Sequence, residues 1–299
     1  MALRIAITGA NGLIGRALTT ALTRRGHTVL SIGRHHPSRP PDVRWSVPHA
    51  QLNPAALEGL DVVVHLAGEP IVGKWTPAKK QAIHDSRIDG TRLLASTLAG
   101  LQDKPAVFIS ASAVGYYGDR GGEVLTEASA PGEGFLPKVC AAWESASSPA
   151  AAAGIRVVNP RFGVVLSGKG GALKQMLTPF RLGMGGPLGN GSQWMSWIGL
   201  EDVVGAVLHM IQNDAVSGPV NLVSPQPVTN KQYTRTLGGI LKRPAVLPLP
   251  RFAARLAFGE LADEALYASQ RVEAGVLTES GYTFTHPQLR GALEAALRH

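Results

Sequence analysis

Residues Arg4-Ile5-Ala6-Ile7-Thr8-Gly9-Ala10-Asn11-Gly12-Leu13-Ile14-Gly15 decide the fold. A short apolar run runs straight into Gly-x-x-Gly-x-x-Gly, and a helical pattern follows through Arg25 until Gly26 closes it. Each glycine has a separate task. The first permits the tight turn, the middle one lets backbone approach a pyrophosphate, and the last lets the helix pack on the strand. The helix N-terminus then faces the anion. A glycine pattern set between a strand and a helix, at the start of an alternating chain, reads as dinucleotide binding. Gly9, Asn11, Gly12, Leu13, Ile14 and Gly15 are therefore the first candidate cofactor residues.

The next strand, Thr28 to Ile32, ends in Gly33-Arg34-His35-His36, with Arg39 close behind and no carboxylate before Asp42. An acidic residue at this point would bind the ribose 2′-hydroxyl of NAD, whereas an arginine pairs with a 2′-phosphate. The reading is NADP.

Further out, Val43–Ser46, Asp61–Leu66, Ala106–Ser110 and 155–159 read as strands. Helices are expected at 77–99 and 134–153, and Asn53-Pro54 and Thr76-Pro77 read as caps followed by proline. The strands are continuous apolar runs, the mark of a parallel sheet buried on both faces. The later chain is loop-rich over 168–199, with helices expected at 201–212, 230–241, 251–273 and 287–297. The expected architecture is an α/β doubly wound parallel-sheet Rossmann fold with a smaller C-terminal α/β lobe. Residues 1–167 form the dinucleotide domain, its sheet completed by 200–224, and 168–299 form the smaller substrate lobe. The cleft between them is the expected ligand site.

Composition narrows the function classes. Hydrophobic residues make up 44% and charged residues 17%, as in ordinary globular chains. No window approaches the roughly 20 apolar residues of a membrane span, and no leader shape precedes Ile5, so neither a membrane nor a secreted route is expected. A single cysteine, Cys140, excludes an intramolecular disulfide and suits a cytoplasmic location; it reads as a buried small side chain or a reactive thiol. The net charge is +8, but the arginines are scattered without interleaved aromatics, so a small anionic ligand is expected and nucleic acid is not. No His/Cys/carboxylate spacing suggests a metal.

Three motifs together carry a family resemblance: the glycine turn, Asp61-Val-Val-Val-His65-Leu66-Ala67-Gly68, and Ser110-Ala-Ser112-Ala-Val-Gly-Tyr116-Tyr117-Gly118. With them the chain resembles the extended short-chain dehydrogenase/reductase superfamily. Ser86-Arg87-Ile88, Trp143-Glu144, Arg161-Phe-Gly-Val164, the 179–189 stretch and Trp197-Ile198 resemble its atypical "epimerase family protein" branch, also labelled nucleoside-diphosphate sugar epimerase. The resemblance runs nearly end to end. It implies that Gly33 and Arg34 meet the adenosine ribose and its phosphate, and that Leu66 and Ala67, with Gly68 closing the same motif, line the cofactor. It also implies that Arg87 reaches the cofactor from the long helix and that Val164 lies on the nicotinamide side.

One part of the pattern fails. Typical members place Tyr-x-x-x-Lys on one helix face, with a glutamate four residues later; the lysine lowers the tyrosine pKa and the tyrosine exchanges a proton with substrate. Counting back from Glu144 puts Leu136 and Cys140 at those positions, with Lys138 two residues off register. The upstream serine falls at Ala113 or, one residue shifted, at Ser112. Tyr116 and Tyr117 are the substitute acid/base candidates, with Lys138 or Arg120 as the cation beside them. Ser112, Tyr116, Tyr117 and Lys138 thus form the candidate catalytic set. Asp119, Glu123, Glu127 and Glu133 are either substrate contacts or solvated carboxylates, and Trp75, Trp194 and Trp197 either stack on ligand or pack. Two functions remain open: an NADP-dependent oxidoreductase or epimerase on a small polar substrate such as a sugar nucleotide, or a non-catalytic NADP-binding sensor. A homodimer is compatible with either.

Overall fold

The computed structural model describes residues 2–34 and 40–298. His35, His36 and Arg39 lie outside the described residues. A nine-stranded sheet organises the chain. Its main strands are β1 (Arg4–Thr8), β2 (Thr28–Gly33), β3 (Val43–Ser46), β4 (Val62–His65), β5 (Val107–Ser110), β6 (Arg156–Phe162) and β7 (Gly218–Leu222). They lie in the order β7-β6-β5-β4-β1-β2-β3, all parallel. Gln51–Leu52 adds an antiparallel edge beyond β3, and Ser112–Ala113 extends the β5 line against β6.

The central strands are apolar on both faces along their middles, with polar Thr8, His65 and Ser110 only at their carboxyl ends, because each face meets a helix. Ile5, Ile7, Val62, Val64, Val107 and Ile109 pack on one side against Leu18 and Leu22 of α1 (Leu13–Arg24). Val203 and Val207 of a later helix (Leu200–Gln212) join that core. The alternate residues Ala6, Val63 and Phe108 pack on the other side against Leu94 and Leu98 of α2 (Pro77–Ala99). This is period-two alternation between two buried faces.

The expected caps form. The Asn53 side chain accepts from the Ala55 amide and that of Thr76 from Lys79. Two expected helices are divided instead. The 134–153 stretch splits into α3 (Phe135–Ser145) and α4 (Ser148–Ala152), because Pro149 lacks the amide that would continue the ladder. The 251–273 stretch ends its helix at Phe258, where Gly259 turns at φ +63°. It continues as a single wide turn, Ala262–Leu266, and a short strand, Arg271–Val272, paired with Val124–Leu125. Among the described residues no helix is long and apolar enough to cross a membrane.

After β6 the chain forms α5 (Gly171–Arg181), α6 (Leu200–Gln212), α7 (Asn230–Leu241), α8 (Arg251–Phe258), α9 (Gly275–Glu279) and α10 (Leu289–Leu297). Between β6 and α6, Val164–Leu166 pairs in parallel with Trp197–Gly199. Leu173, Leu177, Phe180, Trp197, Tyr233 and Leu293 gather α5, α7 and α10 into a separate core.

The glycine turn shows how tightly this frame is drawn. A Cβ on Gly9, at φ +67°, would lie 2.9 Å from the Leu66 carbonyl carbon and oxygen, and one on Gly15 would lie 2.3 Å from the Gly9 oxygen. A Cβ on Gly12 would meet only the Gly9 oxygen, at 3.1 Å, and its φ is −74°. Gly15→Ala is therefore expected to cost about 1–3 kcal/mol in urea unfolding, while Gly12→Ala costs less than about 1 kcal/mol.

Candidate functional site

The strand order reverses between β1 and β4. The chain leaves β1 toward β2 and β3, then returns to β4 on the other side, which opens a crevice beyond their carboxyl ends. The Gly9 turn forms one wall and Leu66-Ala67-Gly68 the other. Thr8 fixes the second wall: its hydroxyl accepts from the amides of Leu66 at 3.0 Å and Ala67 at 3.1 Å. Having accepted twice, that hydroxyl gives its one proton to His65 Nδ1, 2.6 Å away. His65 is thereby held as the neutral Nε2–H tautomer. It is fully buried beside Trp45 and Phe108, and its Nε2 has no partner. Burial, followed by the nearby charge of Arg87, pushes its pKa down to about 3.

Gly12 begins α1, no acidic residue occupies the first turn, and Asn11, Leu13 and Ile14 lie along the rim. Gly33 at the end of β2 faces Pro41, and Arg34 is exposed just beyond it. Asp42 is turned away onto Ser31, accepting from its amide at 2.7 Å and its hydroxyl at 2.8 Å. Between them lies a cavity of about 410 Å³ lined by Ala10, Asn11, Arg16, Ser31, Pro41 and Asp42.

Arg87 enters from α2. Its Nη1 donates to the carbonyls of Glu69 at 2.9 Å and Ile83 at 3.3 Å, and its guanidinium lies over Trp143 at 5.0 Å. The guanidinium also covers the bare face of Gly68, where a Cβ would lie 3.4 Å from its Cζ. Burial pulls its pKa down while nearby Glu69 supports the charge. A largely desolvated cation is thus held at the crevice edge.

The candidate catalytic residues divide sharply. Ser112 Oγ donates to Glu144 Oε1 at 2.6 Å. The same carboxylate takes Arg161 in a two-pronged pair, Nε to Oε1 and Nη2 to Oε2, both 2.8 Å. Arg161 Nη1 then donates to the Tyr117 hydroxyl at 2.9 Å, which in turn donates to Asn221 Oδ1 at 2.6 Å. Tyr117 is fully buried, and burial outweighs Arg161 and Asn221 to push its pKa up to about 12. Burial opposes the charge of Arg161, but Glu144 and the Tyr117 phenol more than offset this and raise its pKa. Ser112 and Tyr117 are therefore committed to a structural network. Tyr116 stands beside it, half-buried, with the Arg161 guanidinium 3.5 Å from its ring centroid. Among the described residues its hydroxyl has no protein partner.

Lys138 is not brought to the tyrosines. It is exposed on α3, while Leu136 and Cys140, on the helix face that the register assigned to the Tyr and Lys, are buried against Gly115. Burial, then Glu144, pushes the Cys140 thiol up to about 12, which is the inert reading. Arg120 is held by Glu123 at 2.6 Å. Glu127 accepts from the amides of Asn221 and Val276, and Asp119 from Gly121 and Ser269. Trp75 and Trp197 are buried, while half-buried Trp194 lies under Arg271 at 4.6 Å. Val164 is half-buried opposite Trp197. Among the described residues no metal-holding cluster occurs.

Arg161, the cation that does reach the tyrosines, escaped the sequence reading as a site residue. The available signal was a lone arginine in a buried strand, which must find a partner; Glu144 was then the unassigned carboxylate.

The chain that forms this crevice is similar to known proteins. Residues 5–222 match the NAD dependent epimerase/dehydratase family. The chain belongs to that family. Residues 249–296 match a domain of unknown function, DUF1731. The epimerase family protein Mb2239 of Mycobacterium bovis is 44% identical over 97% of this chain and 96% of its own length. A crystal structure of the human epimerase family protein SDR39U1 with NADPH superposes with TM-score 0.90, at 32% identity over 99% of this chain and 100% of that one. A nucleoside-diphosphate sugar epimerase from Corynebacterium glutamicum gives TM-score 0.80 at 37% identity, over 99% of this chain and 58% of that one.

Two measurements check the site's energetics. Glu144→Gln strands the Arg161 charge and is expected to cost about 3–5 kcal/mol in urea unfolding, whereas exposed Lys138→Ala stays within about 0.5 kcal/mol. Because folding depresses the pKa of His65, its contribution to stability is full above the ordinary value of about 6.5 and is lost as pH falls toward about 3. Between pH 7 and pH 5 wild type should lose about 2 kcal/mol more than His65→Gln.

Proposed function

We propose that this protein is an NADP(H)-dependent oxidoreductase or epimerase of the extended short-chain dehydrogenase/reductase type, acting on a small polar substrate of the sugar-nucleotide class. The observation that carries the reading is the crevice at the β1–β4 reversal, where, of the three glycines of the turn, Gly12 is the one whose Cβ would meet least protein, the Gly9 oxygen alone at 3.1 Å, as suits the glycine that must admit a pyrophosphate. The NADPH in human SDR39U1 and the name of the Corynebacterium relative support the cofactor and the substrate class.

The residues fit the cofactor. The amides of Leu13 and Ile14 at the α1 N-terminus bind the diphosphate, aided by the helix dipole. Arg34 pairs with the 2′-phosphate, and the turning of Asp42 onto Ser31 leaves no carboxylate to compete. Leu66, Ala67 and Gly68 line the crevice, and Arg87 orients ligand oxygens at its edge. When bound, NADP(H) supplies the hydride acceptor or donor at nicotinamide C4. Tyr116 moves the proton, since Ser112 and Tyr117 are held elsewhere and Lys138 is remote.

A second reading, a non-catalytic NADP-binding sensor, is favoured by Leu136 and Cys140 filling the face of the missing pair. It predicts cofactor binding without turnover on any sugar nucleotide and unchanged behaviour in Tyr116→Phe.

Calorimetric titration tests the common ground. NADPH should bind at micromolar concentration and in preference to NADH. Arg34→Ala should erase a preference of about tenfold or more, about 1.4 kcal/mol, and Gly12→Ala should abolish binding in a folded protein. Absence of binding by any nicotinamide nucleotide would overturn both readings.

A further inference from the structure

A second cavity lies behind α1, sharing Arg16 and Thr20 with the 410 Å³ cavity described above. It encloses about 800 Å³ between α1, the Leu166–Lys169 turn, the start of α6 and α10. That size falls within the range of small-molecule sites. Leu13, Ala17, Thr20 and Arg24 recur along one face of α1 and form one wall. The opposite wall is α10, where Ala292, Ala295 and Ala296 leave room that larger side chains would fill. Leu166, Leu200 and Val204 complete an aliphatic floor, with no Phe, Tyr or Trp among the lining residues and the one imidazole, His286, at the rim beside Glu201.

The rim is basic. Arg16 and Arg24 flank one side and Lys169 the other. Among the described residues none of the three has a carboxylate partner. The one acidic lining residue, Glu201, is engaged by His286 at 2.8 Å. The Gly170-Gly171 turn packs on Leu13, where a Cβ built on either glycine would lie 3.5 Å from the leucine side chain; Arg24, Lys169 and Ala295 line this groove and not the 410 Å³ cavity.

We propose that this groove binds a single-chain aliphatic anion, a fatty carboxylate or an alkyl phosphate, with its chain on the aliphatic floor and its head between Arg24 and Lys169. The chemistry selects this class in two steps. An aliphatic floor without Phe, Tyr or Trp offers little for a nucleobase to stack on, whereas a methylene chain gains by being buried against it. Three unpartnered cations on one rim then favour a charged head over a neutral one. The site also gives the α10 segment, part of the region matched to a domain of unknown function, a ligand-facing surface.

The full chain, saturated with NADPH, is titrated below the critical micelle concentration with dodecanoate, dodecyl phosphate, dodecanol and inorganic phosphate. Dodecyl phosphate or dodecanoate should bind at micromolar concentration, whichever is tighter naming the head group. Ala295→Phe, which fills the groove, and the exposed pair Arg24→Ala/Lys169→Ala should each weaken binding by about tenfold or more without altering NADPH affinity. The surface pair keeps the test decisive if Ala295→Phe unfolds. No binding by either anion, equal binding by dodecanol or by inorganic phosphate, or undiminished affinity in the surface pair would overturn the proposal.

Discussion

A guanidinium sealed inside the sheet governs this site. Arg161 is buried in β6 between Ser112 and Asn221 of the flanking strands, so its charge had to be met within the protein. Glu144 meets it with both oxygens at 2.8 Å, and the remaining hydrogen-bonding capacity is used by Ser112 and Tyr117. Satisfying a buried ion pair fully is what makes it tolerable in low dielectric. That requirement draws in Ser112 and Tyr117, one of the two candidate tyrosines, and holds both in the network. Leu136 and Cys140 complete the change: a lysine at position 140 would bring a second cation toward Arg161 and Arg87, where the buried thiol adds none.

The nucleotide side of the crevice follows a different constraint, backbone proximity. Gly9 and Gly15 are required by the protein itself, since a Cβ would strike Leu66 or the turn, while at Gly12 it would meet only the Gly9 oxygen, at 3.1 Å. Thr8 couples this wall to its opposite by holding the Leu66 and Ala67 amides and setting the His65 tautomer. The two walls of the crevice are thus held together through main-chain contacts, while Tyr116 keeps a hydroxyl that no protein group engages among the described residues.

Much of this was legible in the sequence because it rests on local rules. Continuous apolar strands, the glycine turn and the capped prolines each specify structure within a few residues, and the fold followed. The 251–273 segment was misread as one helix because Gly259 turns to positive φ, and the Arg271–Val272 strand finds its partner far away in Val124–Leu125. The failure of the Tyr/Lys register at Leu136 and Cys140 was also visible, since it is a count along one helix. What was hidden is pairing between elements: that Glu144 belongs to Arg161, that Glu127 braces the Asn221 and Val276 amides, and that Lys138 faces solvent. Such partners are joined by sheet topology, which spacing along the chain does not encode.

Held between Arg161 and Asn221, Tyr117 is a neutral, structural phenol. Ultraviolet difference titration of tyrosine ionisation in wild type and Tyr117→Phe, with Tyr116→Phe as companion, checks this. The phenolate signal appearing below about pH 11 should be unchanged by Tyr117→Phe. Disappearance of a phenol that ionises near neutral pH on replacing Tyr117 would contradict it, and would return that residue to the catalytic role from which Arg161 and Glu144 have withdrawn it.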